Sequence, residues 1–224
     1  TDLLYQFIER SNISKNVKES IISRIPNFPI IPGLGVKNWI TYYFSVLDEI
    51  AIDRKKQVWV EKTPGHLQRI ELIQTFVPDN KVIHIIRDGE DTVASLFQGT
   101  QQWGKGLSID DCIQYWNVAI KKSYTRIDNS SDIFIYYKKL AENPINEINK
   151  IFKLLNLNTQ DDIIERYNKT MPYVIRKNEY WKRKNYQKIE FQSAFDETFN
   201  KSERNYIKQK IEKRLFNKLI DKIT

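Results

Sequence analysis

The sequence predicts an α/β fold, a parallel sheet flanked by helices, on three observations. Compact apolar and β-branched runs recur at Val58-Trp59-Val60, at Lys81-Val82-Ile83-His84-Ile85-Ile86 and over residues 133–136. Apolar residues at helical spacing separate these runs, and strands alternating with helices are the pattern of a parallel sheet with its crossovers packed on it. The chain of 224 residues, 41% hydrophobic and 12% aromatic, is long enough for one sizeable core. No internal repeat or low-complexity linker interrupts it, so residues 1–224 read as a single domain.

Ile13, Val17, Ile21 and Ile25 fall at helical spacing, and Pro26 cannot continue the backbone ladder, so the first 25 residues are expected to be helical. Pro26, Pro29, Pro32, Gly33 and Gly35 make a breaker-rich loop, after which Trp39, Tyr42, Tyr43, Val46, Leu47 and Ile50 restart a helix. Val58, Trp59 and Val60 are expected as a short buried strand, and Leu67, Ile70, Ile73 and Phe76 as a helix. The run from Lys81 to Ile86 suits a strand covered on both faces. A helix over residues 109–127 follows, with Ser108 as N-cap and Ile109, Cys112, Ile113, Trp116, Ile120 and Tyr124 inward. After the third strand, Asn143-Pro144 reads as an N-cap and a first-turn proline, opening a helix with Ile148, Ile151, Phe152 and Leu155 inward. Thr159 is expected to cap another helix, and Ile207, Ile211, Leu215 and Leu219 predict one amphipathic packing helix at the tail.

Lys and Arg number 36 against 28 Asp and Glu, a net charge of +8 that favours an anionic partner without choosing among them. The single cysteine, Cys112, excludes an internal disulfide, and no Cys or His cluster has zinc spacing. No stretch approaches the roughly 18 apolar residues of a membrane span, and the N-terminus has no charged lead and apolar run. The expected compartment is therefore the cytoplasm, or the Golgi lumen if a membrane anchor precedes the chain.

Parallel sheets bind ligands beyond the carboxyl ends of their strands, so chemistry is expected just after Val60 and Ile86. Glu61-Lys62-Thr63-Pro64-Gly65-His66 places an acid, a base and a histidine at the first of these addresses. Arg87-Asp88-Gly89-Glu90-Asp91 occupies the second and runs into a helix bearing Ser95. A guanidinium with paired donors and a hydroxyl near a helix start form a clamp for one phosphate group. Asp88, Glu90 and Asp91 oppose an anion there unless they point away, and Asp88 or Asp91 is expected to cap the helix. His84, inside an apolar strand, is expected to be a hydrogen-bonded core histidine.

These segments, with Ser95, Trp103-Gly104, Trp116 and Tyr136-Tyr137-Lys138-Lys139-Leu140-Ala141-Glu142-Asn143-Pro144, resemble the sulfotransferase family over roughly residues 58–157. The resemblance implies a three-layer fold like that of the phosphate-loop nucleotide kinases. It also implies the donor 3′-phosphoadenosine-5′-phosphosulfate, the product adenosine 3′,5′-bisphosphate and a hydroxyl-bearing acceptor, a carbohydrate, small molecule or peptide. No nucleic-acid partner, metal or membrane span is expected. Arg87 and Ser95 are then the ligands of the 3′-phosphate, Lys62 the stabiliser of the leaving oxygen, and His66 the acceptor of the hydroxyl proton, with Glu61 the other candidate base. Arg176 and Lys182, flanking Trp181 in a basic stretch, are candidates for further nucleotide contacts.

Two departures qualify the likeness. Nothing before Glu61 matches the family's phosphosulfate-cradling loop of the type Pro-Arg-Ser-Gly-Thr-Thr, so the chain is expected to begin downstream of that loop and its strand. Gly89 stands where the family usually has proline, which predicts a looser turn. A rival motif, Gly99-Thr100-Gln101-Gln102-Trp103-Gly104-Lys105-Gly106, nearly matches a kinase phosphate loop. It ends in glycine instead of the magnesium-binding hydroxyl and follows a helix instead of a strand. A third reading is a non-catalytic module that holds an anionic ligand.

Overall fold

The computed structural model describes residues 2–11, 13–25, 36–102, 104, 106–158, 162–174, 191 and 193–224. The chain divides into two compact units, Thr1–Asp79 and Asn80–Thr224.

The first unit contains α1 (Asp2–Arg10), α2 (Lys15–Ser23), α3 (Val36–Asp53), a 3₁₀ turn (Pro64–Arg69) and α4 (Ile70–Phe76). The expected single N-terminal helix is two helices, because the backbone at Ser14 is extended and its amide and hydroxyl bind the Asp53 carboxylate at 2.9 and 2.7 Å. Those bonds give the interrupted donors the partner that the helix would have supplied. Ile8, Ile21, Tyr42 and Val46 form the buried centre, and the Tyr42 hydroxyl donates to the Ile21 carbonyl at 2.7 Å. The breaker-rich segment, residues 26–35, lies outside the described residues.

Val58, Trp59 and Val60 do not form the expected strand: Val58 is exposed and Val60 is 77% exposed. A strand gains its stability from a ladder of partners, and none forms here among the described residues. Trp59 is held instead by stacking on Phe44, with centroids 5.7 Å apart, and by its indole N–H to Asp48 at 2.8 Å.

In the second unit, β1 (Val82–Ile86) pairs in parallel with β2 (Asp132–Tyr136), with Val82 opposite Asp132 and Ile86 opposite Tyr136. The connection runs through α5 (Gly89–Gln102) and α6 (Ile109–Tyr124). Ser108 caps α6 as expected, in a reciprocal box with Asp111. Ile86, Val93, Ala94, Cys112, Ile113, Trp116 and Ile120 pack with Phe195, Phe199, Ile207, Ile211 and Leu219 in one core. The sheet is not covered on both faces by the described residues, since His84 and Ile86 are buried while Ile85 is 51% exposed. Alternating side chains of a strand face opposite ways, so a run of apolar residues does not by itself bring a second cover.

After β2 come α7 (Tyr137–Glu142), α8 (Pro144–Leu154) and α9 (Ile163–Val174). Asn143 caps α8 as expected, its side chain accepting from the Asn146 amide, whereas Thr159 lies outside the described residues. The tail contains α10 (Phe195–Thr198), α11 (Lys201–Lys210) and α12 (Lys213–Ile223), so the expected single helix is broken at Ile211 and Glu212. Asn117 on α6 explains the break: its amide donates to the Lys210 carbonyl at 3.0 Å and accepts from the Glu212 amide at 2.7 Å. One side chain satisfies two backbone groups that the interruption exposes.

His84 is the satisfied core histidine the sequence predicts. Its Nδ1 lies 3.1 Å from Ser123 Oγ and its Nε2 3.0 Å from Asp132 Oδ2, while its ring stacks on Phe134. Arg126 closes the chain with paired bonds of 2.6 and 2.8 Å to the same Asp132, whose side chain is wholly buried. Burial holds the His84 imidazole below its ordinary pKa, against the opposing pull of Asp132.

Two predictions follow from these contacts. Asn117→Ala is expected to destabilise the second unit by about 0.5–1.5 kcal/mol, read by chemical denaturation, because it removes the side-chain partner of two backbone groups that are only partly shielded from water. For His84, the unfolded chain takes up a proton below about pH 6.5 that the folded site resists, so the stability carried by the neutral ring is complete above that pH and drains below it. The melting temperature of the unaltered chain should therefore fall more steeply between about pH 7 and 5 than that of His84→Asn; equal slopes contradict the assignment.

Candidate active site

In the first unit, Thr63 is extended and Pro64 begins the 3₁₀ turn, whose first bond runs from the His66 amide to the Thr63 carbonyl at 2.9 Å. This tight turn brings His66 back over Glu61: Nδ1 sits 2.6 Å from Oε2. The other carboxylate oxygen accepts from the Thr63 hydroxyl at 2.6 Å. Glu61 therefore pairs with His66, and Lys62 between them is exposed. A carboxylate on Nδ1 sets the tautomer and orientation of the ring and leaves Nε2 as the nitrogen that can exchange a proton.

In the second unit, Arg87 follows the last residue of β1 and Ser95 lies on α5, exposed, near the end of its second turn. The Arg87 carbonyl accepts from the Trp116 indole at 3.0 Å, and its guanidinium lies 4.9 Å from the centre of the Tyr137 ring. Such a contact stabilises a cation by about 0.5–2 kcal/mol and restricts where it points. Gly89 opens α5, and a Cβ built on it meets three atoms of the Trp116 ring at 3.1 Å. The expected loosening of the turn gives way to a packing reason: glycine is what lets the indole reach the Arg87 carbonyl.

Neither Asp88 nor Asp91 caps α5 through its carboxylate as the sequence suggested. The Asp88 carboxylate accepts from the Tyr136 hydroxyl at 3.0 and 3.2 Å, while its backbone carbonyl accepts from the Thr92 amide and hydroxyl. Asp91 is buried, with Oδ1 lacking a hydrogen-bond partner, and Glu90 lies 3.8 Å from Lys213. Burial and the neighbouring Asp88 push the Tyr136 phenol up to about 12, further above neutral pH than a tyrosine's ordinary value.

The rival phosphate-loop motif is a helix ending. Gly104 and Gly106 have φ of +70° and +53°, and their amides donate to the Gln101 and Thr100 carbonyls at 3.1 Å. Amides committed to capping α5 are not offered to a phosphate. Trp103 and Lys105 of that motif, and Arg176 and Lys182 of the basic stretch, lie outside the described residues. A cavity of about 560 Å³ lined by Asp128, Asp132, Phe134, Lys150 and Lys222 lies at the start of β2, the end opposite Arg87. No described helix is long and apolar enough to cross a membrane, and no described cluster of His, Cys, Asp and Glu has metal-binding form.

The profile of the sulfotransferase family matches residues 38–161, more than half of the chain. The chain belongs to the sulfotransferase family. The matched span takes in Glu61, Lys62, His66, Arg87 and Ser95, and it ends before the basic stretch around Trp181. No solved structure matches this sulfotransferase chain significantly. Sequence reasoning passed over three side chains that shape the site: Trp116 and the adjacent Tyr136 and Tyr137. All three stood within the recognised segments, and the tyrosines at a strand's carboxyl end, level with Arg87 and Asp88, were the available signal.

Gly89→Ala is expected to cost the sulfotransferase about 1–3 kcal/mol of stability through overpacking against Trp116. Pairing it with Trp116→Leu should reduce that cost, measured as a double-mutant cycle in denaturant; additive losses contradict the proposed contact.

Proposed function

We propose that this protein takes part in sulfuryl transfer from 3′-phosphoadenosine-5′-phosphosulfate to an acceptor hydroxyl. The carrying observation is the arrangement at the carboxyl end of β1, where Arg87 is supported by Trp116 and Tyr137 and followed on α5 by exposed Ser95. A guanidinium offers paired donors to phosphate oxygens, and a hydroxyl two turns along the following helix adds a further donor. In this reading Arg87 and Ser95 hold the 3′-phosphate of the nucleotide.

The acceptor oxygen attacks sulfur as the bond from sulfur to the nucleotide's bridging oxygen breaks. The electron pair of that bond stays on the departing phosphate, which leaves as adenosine 3′,5′-bisphosphate. The acceptor's proton goes to Nε2 of His66, the nitrogen that Glu61 leaves available by binding Nδ1. Glu61 thus serves as the orienting carboxylate instead of the base. Lys62 stabilises the negative charge on the leaving oxygen, a role suited to an exposed ammonium that Glu61 does not capture. Loose transfer of this kind relies on positioning and charge more than on covalent help from the protein. Arg176 and Lys182 remain candidates for further phosphate contacts. Within the sequence given, the part that resembles the family's nucleotide site is the 3′-phosphate end, at Arg87 and Ser95.

The test is selectivity for that phosphate, by calorimetric titration with adenosine 3′,5′-bisphosphate and adenosine 5′-phosphate. The unaltered chain should prefer the bisphosphate, and Arg87→Ala should abolish the preference, with a loss of about tenfold or more as expected for a charge-assisted contact. Equal affinity for the two nucleotides contradicts the reading. Where turnover is measurable, His66→Ala should lower kcat by about 10²–10⁴-fold, and Glu61→Gln by less.

A further inference from the structure

The sequence places an acid directly beside the arginine on which phosphate binding is proposed to depend. Left to local geometry, Asp88 is the nearest competitor for anything Arg87 attracts: a carboxylate close to a bound phosphate repels it, and one turned toward the guanidinium occupies its donors. The structure deals with the two neighbours separately. The end of β2 lies level with the end of β1, Tyr136 opposite Ile86, so the two tyrosines there stand beside Arg87 and Asp88. The Tyr136 hydroxyl donates to both oxygens of Asp88 at 3.0 and 3.2 Å. Tyr137 presents its ring face to the Arg87 guanidinium, 4.9 Å away.

We propose that Tyr136 is a positioning residue that holds the Asp88 carboxylate away from Arg87, so that these two consecutive tyrosines sort an adjacent acid and base and set the anion affinity of the site. The proposal rests on the nucleotide reading above and adds to it a residue outside the phosphate clamp. Three features on the molecule support it. The phenol is protonated at neutral pH, as a tyrosine ordinarily is, and burial and Asp88 hold its pKa higher still, so it can donate to the acid. The Tyr136 ring packs edge-on against Phe216 with centroids 6.2 Å apart, a contact that favours the ring orientation in which the hydroxyl meets Asp88. Of the other two acids of the segment, Glu90 lies 3.8 Å from Lys213, whereas Asp91 is buried in the first turn of α5 with one carboxylate oxygen unpartnered.

A merely structural strap between the two strand ends makes different predictions from a charge sorter. The same titrations with adenosine 3′,5′-bisphosphate and adenosine 5′-phosphate separate them, with thermal melts confirming that each variant is folded. Tyr136→Phe should raise the Kd for the bisphosphate by about tenfold and leave that for the monophosphate nearly unchanged, the size expected when a hydrogen bond to a charged group is lost. Adding Asp88→Asn to it should restore the bisphosphate affinity to within about twofold of the unaltered chain, because the repelling charge is gone. Asp88→Asn alone, which keeps Tyr136, should bind the bisphosphate at least as tightly as the unaltered chain; this variant carries the test if Tyr136→Phe does not fold. Equal weakening toward both nucleotides without rescue by Asp88→Asn, or weakening by Asp88→Asn alone, overturns the proposal. If the unaltered chain prefers the bisphosphate and loses that preference in Arg87→Ala but keeps it in Tyr136→Phe, charge sorting fails while the nucleotide reading stands. If the unaltered chain shows no preference, both fall.

Discussion

The contact between Trp116 and the turn at residues 87–89 is the constraint on which the candidate phosphate site depends. Its indole N–H ties down the Arg87 carbonyl, and its ring occupies the space that any side chain at Gly89 would need. The point where β1 ends and α5 begins is thereby fixed from α6. Both residues of the proposed phosphate clamp are set by that junction, one by leaving the strand and the other by its place on the helix. Trp116 is itself buried in the core formed by α5, α6 and the tail helices, so the clamp inherits the rigidity of that core.

Around this junction the dominant problem is electrostatic. Four charged residues, Arg87, Asp88, Glu90 and Asp91, fall within five positions, and an anion site needs the base without the acids. The fold gives two of the acids partners of their own, a phenol for Asp88 and a lysine 3.8 Å away for Glu90, while Asp91 is buried with one carboxylate oxygen unpartnered. At the other end of the same two strands, Asp132 is matched by Arg126 and His84 in a closed, buried set of bonds. That group has the character of a structural tie, since its partners are saturated and the nearby cavity lies away from Arg87.

What the sequence revealed and what it hid divide along the range of the interactions. Strands β1 and β2, the Ser108 cap and the Asn143-Pro144 start are written in neighbouring residues, and each appears where the pattern put it. The failures are all non-local. Val58, Trp59 and Val60 have strand composition but find no ladder among the described residues, and Trp59 is claimed by Phe44 and Asp48. The regular spacing of Ile207, Ile211, Leu215 and Leu219 hides a break that a side chain about 95 positions away, Asn117, makes tolerable. The candidate site shows the same division: Arg87 and Ser95 are legible from position along a strand and helix. The bonding of Glu61 to His66, the supports from Trp116 and Tyr137, and the removal of Asp88 by Tyr136 depend on how the chain folds back.

In the proposed function a nucleotide's ribose-borne phosphate is held by the guanidinium of residue 87 and the hydroxyl of residue 95. A crystal structure of the chain with adenosine 3′,5′-bisphosphate bound tests it most directly. The 3′-phosphate is expected within hydrogen-bonding distance of both side chains, with the Asp88 carboxylate still on Tyr136. A nucleotide bound elsewhere, or one whose 3′-phosphate touches neither Arg87 nor Ser95, would contradict it.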